Sequence, residues 1–151
     1  MLIQIIEAFL ILYLGLCIGY IFLFSFAGLF YRKSGGKSIE NYRKIAVLIP
    51  GYKEDQVIEH VAEDALKQDY PDQKYDVVVI ADSFQPETLA KLRALPIRVI
   101  EVSFEISTKS KALNQAMDIL PDDYDIAVIL DADNLMANDF LTRINRSFDA
   151  G

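Results

Sequence analysis

The chain has 151 residues, enough for a domain with a core of its own, and a formal net charge of −7. That acidic balance argues against a nucleic-acid binder, which would show a basic face. One cysteine, Cys17, and one histidine, His60, exclude an intrachain disulfide and a Cys/His metal cluster. A Ser-His-Asp or Cys-His catalytic system would have to use His60.

Residues 8–31 contain no Asp, Glu, Lys or Arg. As a helix this run would be about 36 Å long, enough to cross a hydrocarbon core of about 30 Å with some tilt. Tyr13, Tyr20 and Tyr31 punctuate it, and Tyr31 falls where an interfacial aromatic belongs. A cleaved leader would begin with a basic segment and carry a shorter apolar run, and neither is seen. Residues 1–31 therefore read as a retained transmembrane helix. Arg32, Lys33 and Lys37 follow it, whereas Glu7 is the one charged side chain before it. The positive-inside rule puts the N-terminus outside and the rest in the cytoplasm, a single-pass arrangement read here as one of a bacterial inner membrane. Ser34-Gly35-Gly36-Lys37-Ser38 reads as a flexible linker, with the domain boundary over residues 32–44 and the second domain over 45–151.

From Lys44 onward strands and helices alternate. Ile45–Ile49 reads as a buried strand ended by Pro50-Gly51. Residues 54–68 carry Val57, Ile58, Val61, Ala62, Ala65 and Leu66 at helical spacing, with Glu54 and Asp55 in the first turn, where they suit the helix dipole. Tyr70-Pro71-Asp72 stops that helix. Tyr75–Ile80 is a second strand, residues 86–95 a short helix with Pro86 early, and Ile97–Val102 a third strand. Residues 110–120 form a helix with Ala112, Leu113, Ala116, Met117 and Leu120 apolar, and Phe140–Phe148 begins another. Such alternation implies parallel pairing with right-handed crossovers, an open doubly wound α/β sheet.

The fourth strand, Ile126–Leu130, is short, rich in β-branched residues and reads as buried. It runs into Asp131-Ala132-Asp133. If the extended conformation persists past Leu130, both carboxylates point the same way, at the carboxyl end of the sheet where ligands bind in such folds. Two readings stand: ordinary loop and cap residues, or hard oxygen ligands for Mg2+ or Mn2+ shared with substrate phosphates. The strand-one turn has one glycine, so it is neither a Gly-x-Gly-x-x-Gly dinucleotide turn nor a P-loop. Asp82 closes strand two, as a turn residue or as an acceptor for a base or ribose donor. Lys109 and Lys111 sit at the mouth of the third helix, facing a diphosphate or solvent. Asn114 and His60 read as surface residues.

Taken in order, Val47-Leu48-Ile49-Pro50-Gly51-Tyr52-Lys53-Glu54-Asp55, Leu66-Lys67-Gln68-Asp69-Tyr70-Pro71, Val79-Ile80-Ala81-Asp82-Ser83, Lys109-Ser110-Lys111-Ala112-Leu113-Asn114 and Leu130-Asp131-Ala132-Asp133 resemble the family 2 inverting glycosyltransferases. Five segments in family order cover residues 45 to about 145. The resemblance implies the GT-A (Rossmann-like) fold, an open, mainly parallel sheet with helices on both faces, here preceded by one transmembrane helix. It also implies transfer of a sugar from a UDP- or GDP-sugar to a glycan or lipid-linked acceptor. By position, it implies that Pro50, Tyr52 and Glu54 contact the nucleoside, Asp82 the base and Lys109 the nucleotide. Asp131 and Asp133 then match the Asp-x-Asp motif, with Asp133 the direct ligand of Mg2+ or Mn2+. Lys53, Ala81 and Thr108 depart from the family pattern and leave the donor open. The family's catalytic base and its Arg-Trp segment lie well beyond Asp-x-Asp, and the sequence, which has no tryptophan, ends at Gly151. The expectation is therefore a donor-binding half, truncated or paired with a separate acceptor-half protein, with a non-catalytic remnant or interaction module as the rival. A sugar nucleotidyltransferase would need a glycine- and arginine-bearing loop after strand one, which Pro50-Gly51-Tyr52-Lys53 does not supply.

Overall fold

Val, Ile and Leu crowd the two segments that form the middle of the sheet, β1 (Ile45–Tyr52) and β2 (Tyr75–Asp82). Both are buried on two faces, which is why they read as near-continuous apolar runs rather than as alternating ones. They belong to a computed structural model that describes residues 1–30, 39 and 41–149, the last by its backbone. The chain divides into two units, residues 1–36 and 37–151. The first holds α1 (Leu2–Gly28), 27 residues with no buried side chain, the one helix among the described residues long and apolar enough to cross a membrane. Apolar residues occupy its whole circumference, as a lipid-facing helix requires. The expected interfacial Tyr31, the basic residues Arg32, Lys33 and Lys37 and the linker 34–38 lie outside the described residues.

The second unit is built on a four-stranded sheet of order β3-β2-β1-β4, parallel throughout, with β3 at Arg98–Val102 and β4 at Ile126–Ile129. Successive strand residues point to opposite faces. Ile45, Val47 and Ile49 pack with α2 (Ile58–Ala65), α3 (Pro86–Ala94) and α5 (Phe140–Asp149) on one face. Ala46, Leu48, Val78 and Ile80 pack on the other with Ala112 and Ala116 of α4 (Lys109–Ile119) and with Leu120 just past its end. Buried Asn145 ties α5 to the segment entering β1: its Nδ2 donates to Asn41 O at 2.8 Å, and its Oδ1 accepts from Arg43 N at 3.2 Å. Pairing both ends of that amide removes the penalty of burying it.

Several details differ from the sequence expectation, the first being that β1 runs on through Pro50-Gly51 to Tyr52. The helix expected over 54–68 begins at Ile58, after a turn in which Glu54 O accepts from the N–H groups of Val57 and Ile58. Asp55 does not serve its own helix, because its carboxylate accepts from Gln85 N at 2.8 Å and so caps α3. The strand expected from Ile97 begins at Arg98, since Ile97 N is taken by Leu95 O in a tight turn around Pro96. The last concerns β4, which is not buried on both faces. Among the described residues it pairs with β1 alone; Ile126 and Leu130 join the core on the α2, α3 and α5 side, whereas α4 lies over β1, β2 and β3, leaving Ala127 exposed and Ile129 53% exposed.

Ile49→Ala is expected to cost about 2–5 kcal/mol through a cavity in the core, whereas Ile129→Ala stays within about 0.5 kcal/mol, read from urea titrations of the full chain in detergent. Hydrogen bonds from the Thr88 hydroxyl and the Gln85 N–H hold the Asp55 carboxyl below its ordinary pKa of 3.8. A depressed folded-state pKa stabilises the fold above the ordinary value and ceases to do so as pH falls through the folded one. Asp55→Ala is accordingly expected to lose about 1 kcal/mol at neutral pH, the size of a lost helix cap, with the gap to wild type closing below about pH 4.

Candidate active site at the carboxyl ends of β1, β2 and β4

The register pairs Tyr52 with Asp82, so β1 and β2 end level. Lys53 N donates to Asp82 O at 3.1 Å and carries the pairing one step past β1. Both strands leave the sheet through left-handed residues, Lys53 with φ 55° and Ser83 with φ 60°. A side chain in that region is strained by about 1–2 kcal/mol, so the surrounding contacts hold these turns in place. Alternation sends Pro50, Tyr52 and Asp82 to the face that carries α4, and Gly51 and Ala81 to the opposite face. There Gly51 is in close contact with Phe84, for an added Cβ would lie 2.7 Å from Cζ of that ring. Glycine at this position lets the buried Phe84 close over the strand end.

Asp82 is 2% exposed and accepts from Ser83 Oγ at 2.9 Å. The chain departs from extended geometry after Leu130, whose N–H makes a last bond to Leu48 O at 2.9 Å, and turns so that Asn134 N donates to Asp131 O at 3.0 Å. The expected continuous extension past Leu130 is therefore replaced by a turn. Burial still alternates through it, with Leu130 and Ala132 buried in the core and Asp131 and Asp133 exposed. A small residue between the two carboxylates lets the turn seat its side chain in the core.

Across from them, Thr108 caps α4 in extended conformation, its Oγ1 accepting from Lys111 N at 3.3 Å. Lys109, the first residue of α4, forms an ion pair with Asp131 in which the side chains are 50% and 54% exposed. One open cleft of about 410 Å³ is lined by Pro50, Gly51, Tyr52, Glu54, Asp82, Ser107, Thr108, Lys109, Ala112, Asp131, Ala132 and Asp133. All seven residues singled out in the sequence lie on its wall. Ser107, Thr108 and Ala112 were not among them, although a Ser-Thr pair ahead of an apolar helix is an N-cap signal that points there. Lys111 turns away and donates to Ile106 O at 2.8 Å, and exposed His60 and Asn114 are not part of the lining.

The lining is acidic, with four carboxylates (Glu54, Asp82, Asp131, Asp133) against the single ammonium of Lys109. Among the described residues no three His, Cys, Asp or Glu side chains converge as a metal cage. One or two exposed carboxylates without a full cage suit a hard divalent cation that completes its shell with water or phosphate oxygens.

The family model for glycosyltransferase-like family 2 matches residues 43–151. None of the curated proteins matches the chain. Among solved structures, it is similar to a mannosyltransferase from Pyrobaculum calidifontis in complex with GDP-Man and Mn2+, with 26% identity, TM-score 0.62, and coverage of 78% of this chain and 36% of that one. It also shares the fold of TarS from S. aureus in complex with UDP-GlcNAc, with 21% identity, TM-score 0.60, and coverage of 71% and 31%. The same holds for glucosyl-3-phosphoglycerate synthase from Mycobacterium tuberculosis in complex with Mn2+, UDP and glucosyl-3-phosphoglycerate, with 21% identity, TM-score 0.51, and coverage of 76% and 43%. The matched part of the chain spans 36%, 31% and 43% of these solved chains, less than half of each. With the family match running through every strand and through the whole cleft, the chain belongs to glycosyltransferase-like family 2.

Proposed function

We propose that residues 45–151 are the nucleotide-sugar-binding half of an inverting GT-A glycosyltransferase that uses Mg2+ or Mn2+ and is held at a membrane by α1. The observation that carries this reading is the convergence of Tyr52, Glu54, Asp82, Lys109, Asp131 and Asp133 on one acidic cleft at the strand ends. An acidic wall repels a bare diphosphate, so an anionic donor has to arrive with a cation. The solved mannosyltransferase in complex with GDP-Man and Mn2+ supports this pairing of donor and ion.

In this reading Asp133 and Asp131 hold the metal, which when bound acts as a Lewis acid on the departing diphosphate. Buried Asp82 keeps acceptor capacity for an N–H of the base beyond its bond from Ser83. Pro50, Tyr52 and Glu54 form the nucleoside side of the cleft. In an inverting displacement the acceptor hydroxyl oxygen attacks the anomeric carbon, the bond to the diphosphate breaks, and a base takes the hydroxyl proton. No residue of this chain is assigned as that base. The proposed whole enzyme therefore includes further polypeptide, in the same chain or in a separate acceptor-half protein, as the greater length of the matched solved chains supports. The unpaired edge of β4 is where such polypeptide would continue the sheet. The acceptor in this reading is a glycan or a lipid-linked sugar, in the manner of polysaccharide biosynthesis. The basic residues after α1 favour an outside N-terminus and a cytoplasmic cleft at a bacterial inner membrane.

Calorimetry on the full chain in detergent, with UDP or GDP in the presence and absence of Mn2+, tests the reading. Nucleotide is expected to bind more tightly with the metal, and Asp133→Ala is expected to lose at least about tenfold, or about 1.4 kcal/mol, of the metal-dependent affinity. Equal binding by wild type and variant would reject the metal ligands named here. Absence of nucleotide binding under all conditions would reject the donor site.

A further inference from the structure

We infer that Lys109 stands in for the divalent cation at Asp131 and gives up that place when the metal enters, so that the diphosphate strengthens metal binding. The inference rests on the nucleotide-sugar reading above and deepens it: Lys109 becomes a positioning residue that couples two ligands.

Three observations carry it. Lys109 is the first residue of α4, and no acidic residue lies in that first turn. The positive end of the helix dipole disfavours a cation there, so this lysine needs an anion from elsewhere in the fold. Asp131, on the turn after β4, supplies it. The neighbouring lysines are engaged otherwise: Lys111 Nζ donates to Ile106 O at 2.8 Å and lies 6.0 Å from the centre of the Phe104 ring, and Lys53 Nζ lies 5.1 Å from the centre of the Tyr52 ring. Lys109 is thus the only ammonium on a wall with four carboxylates.

The strength of the pair decides how it behaves. Both partners are half exposed, so water screens the attraction and the pair shifts an equilibrium by a few-fold only. That is weak enough for a divalent ion to displace and strong enough to measure. A diphosphate offers Lys109 a second anion, which frees Asp131 for the metal. Each ligand then raises the affinity for the other by the same factor, because the coupling is reciprocal.

The test measures Mn2+ alone, by the paramagnetic resonance of the free ion, on the full chain in detergent, and then with UDP or GDP added. Lys109→Gln is expected to bind Mn2+ alone about three- to fivefold more tightly than wild type. Lys111→Gln, which removes the same charge two residues away, should shift it less than twofold. In an Asp131→Asn background, Lys109→Gln should shift Mn2+ binding no more than Lys111→Gln does, which separates competition at that carboxylate from a general loss of charge. Nucleotide should strengthen Mn2+ binding by a larger factor in wild type than in Lys109→Gln. Equal or weaker Mn2+ binding by Lys109→Gln, equal shifts for the two lysine variants, or no Mn2+ binding by any of the proteins would each overturn the inference. Wild type that binds Mn2+ but no nucleotide would reject the donor reading, and the comparison with Mn2+ alone would still decide the role of Lys109.

Discussion

The parallel pairing of β1 with β2 sets the height and the sidedness of everything above it. Eight consecutive positions are in register, from Ile45 opposite Tyr75 to Tyr52 opposite Asp82. A slip of one residue would send every side chain of a strand to the other face. Asp82 would then leave the side where α4 begins and turn toward Phe84 and the α3 side of the sheet. The buried apolar set on both faces makes such a slip costly, because it would expose or overfill two cores at once. The core residues therefore position the site residues, and the strained turns at Lys53 and Ser83 are held by the same pairing through Lys53 N and Asp82 O.

Charge does the next part of the work. Three of the four carboxylates on the cleft wall come from different strand ends, so the chain brings like charges together by topology rather than by local sequence. Only Asp82 is deeply buried, and the Ser83 hydroxyl contributes to its solvation. Asp131 and Asp133 stay in contact with water, which keeps their ionised form affordable without a resident cation. A site of this kind is open to exchange with solvent, which suits the proposed binding of an ion together with a diphosphate.

Much of this was legible in the residues because it depends on patterns of short range. Strand one and strand two announce themselves as unbroken apolar runs, α3 by Pro86 at its start, and α4 by its apolar spacing. That Asp131 and Asp133 are exposed around a buried Ala132 follows the expected alternation, although the chain turns there instead of staying extended. What escaped depends on partners distant in the chain. Asp55 looked like a first-turn residue of its own helix, yet its carboxylate serves Gln85, 30 residues away. Nothing local marks Asn145 as buried, because its partners Asn41 and Arg43 lie more than 100 residues earlier. The five residues Ile126–Leu130 look like a central strand, and only the sheet order reveals that β4 is at an edge.

The two edges of this sheet are not alike, and the difference bears on what surrounds it. β3 carries Arg98 toward the α4 face and Glu101 toward the other, the latter in an ion pair with Arg93. Charges on both faces of an edge strand discourage another strand from adding to it. β4 has no such guard: its α4-side residues are Ala127 and Ile129, in register with the buried Ala46 and Leu48 of β1. The same face of the sheet is thus covered over β1 and bare over β4, although the residue types are equally apolar. Apolar side chains at that position gain nothing from water, about 25 cal/mol being at stake for each Å² left uncovered. A sheet guarded on one side and apolar on the other has a direction in which it can be extended, and that direction leads away from β1 on the side where Asp131 and Asp133 begin the cleft. Polypeptide packed there would adjoin the proposed metal site directly.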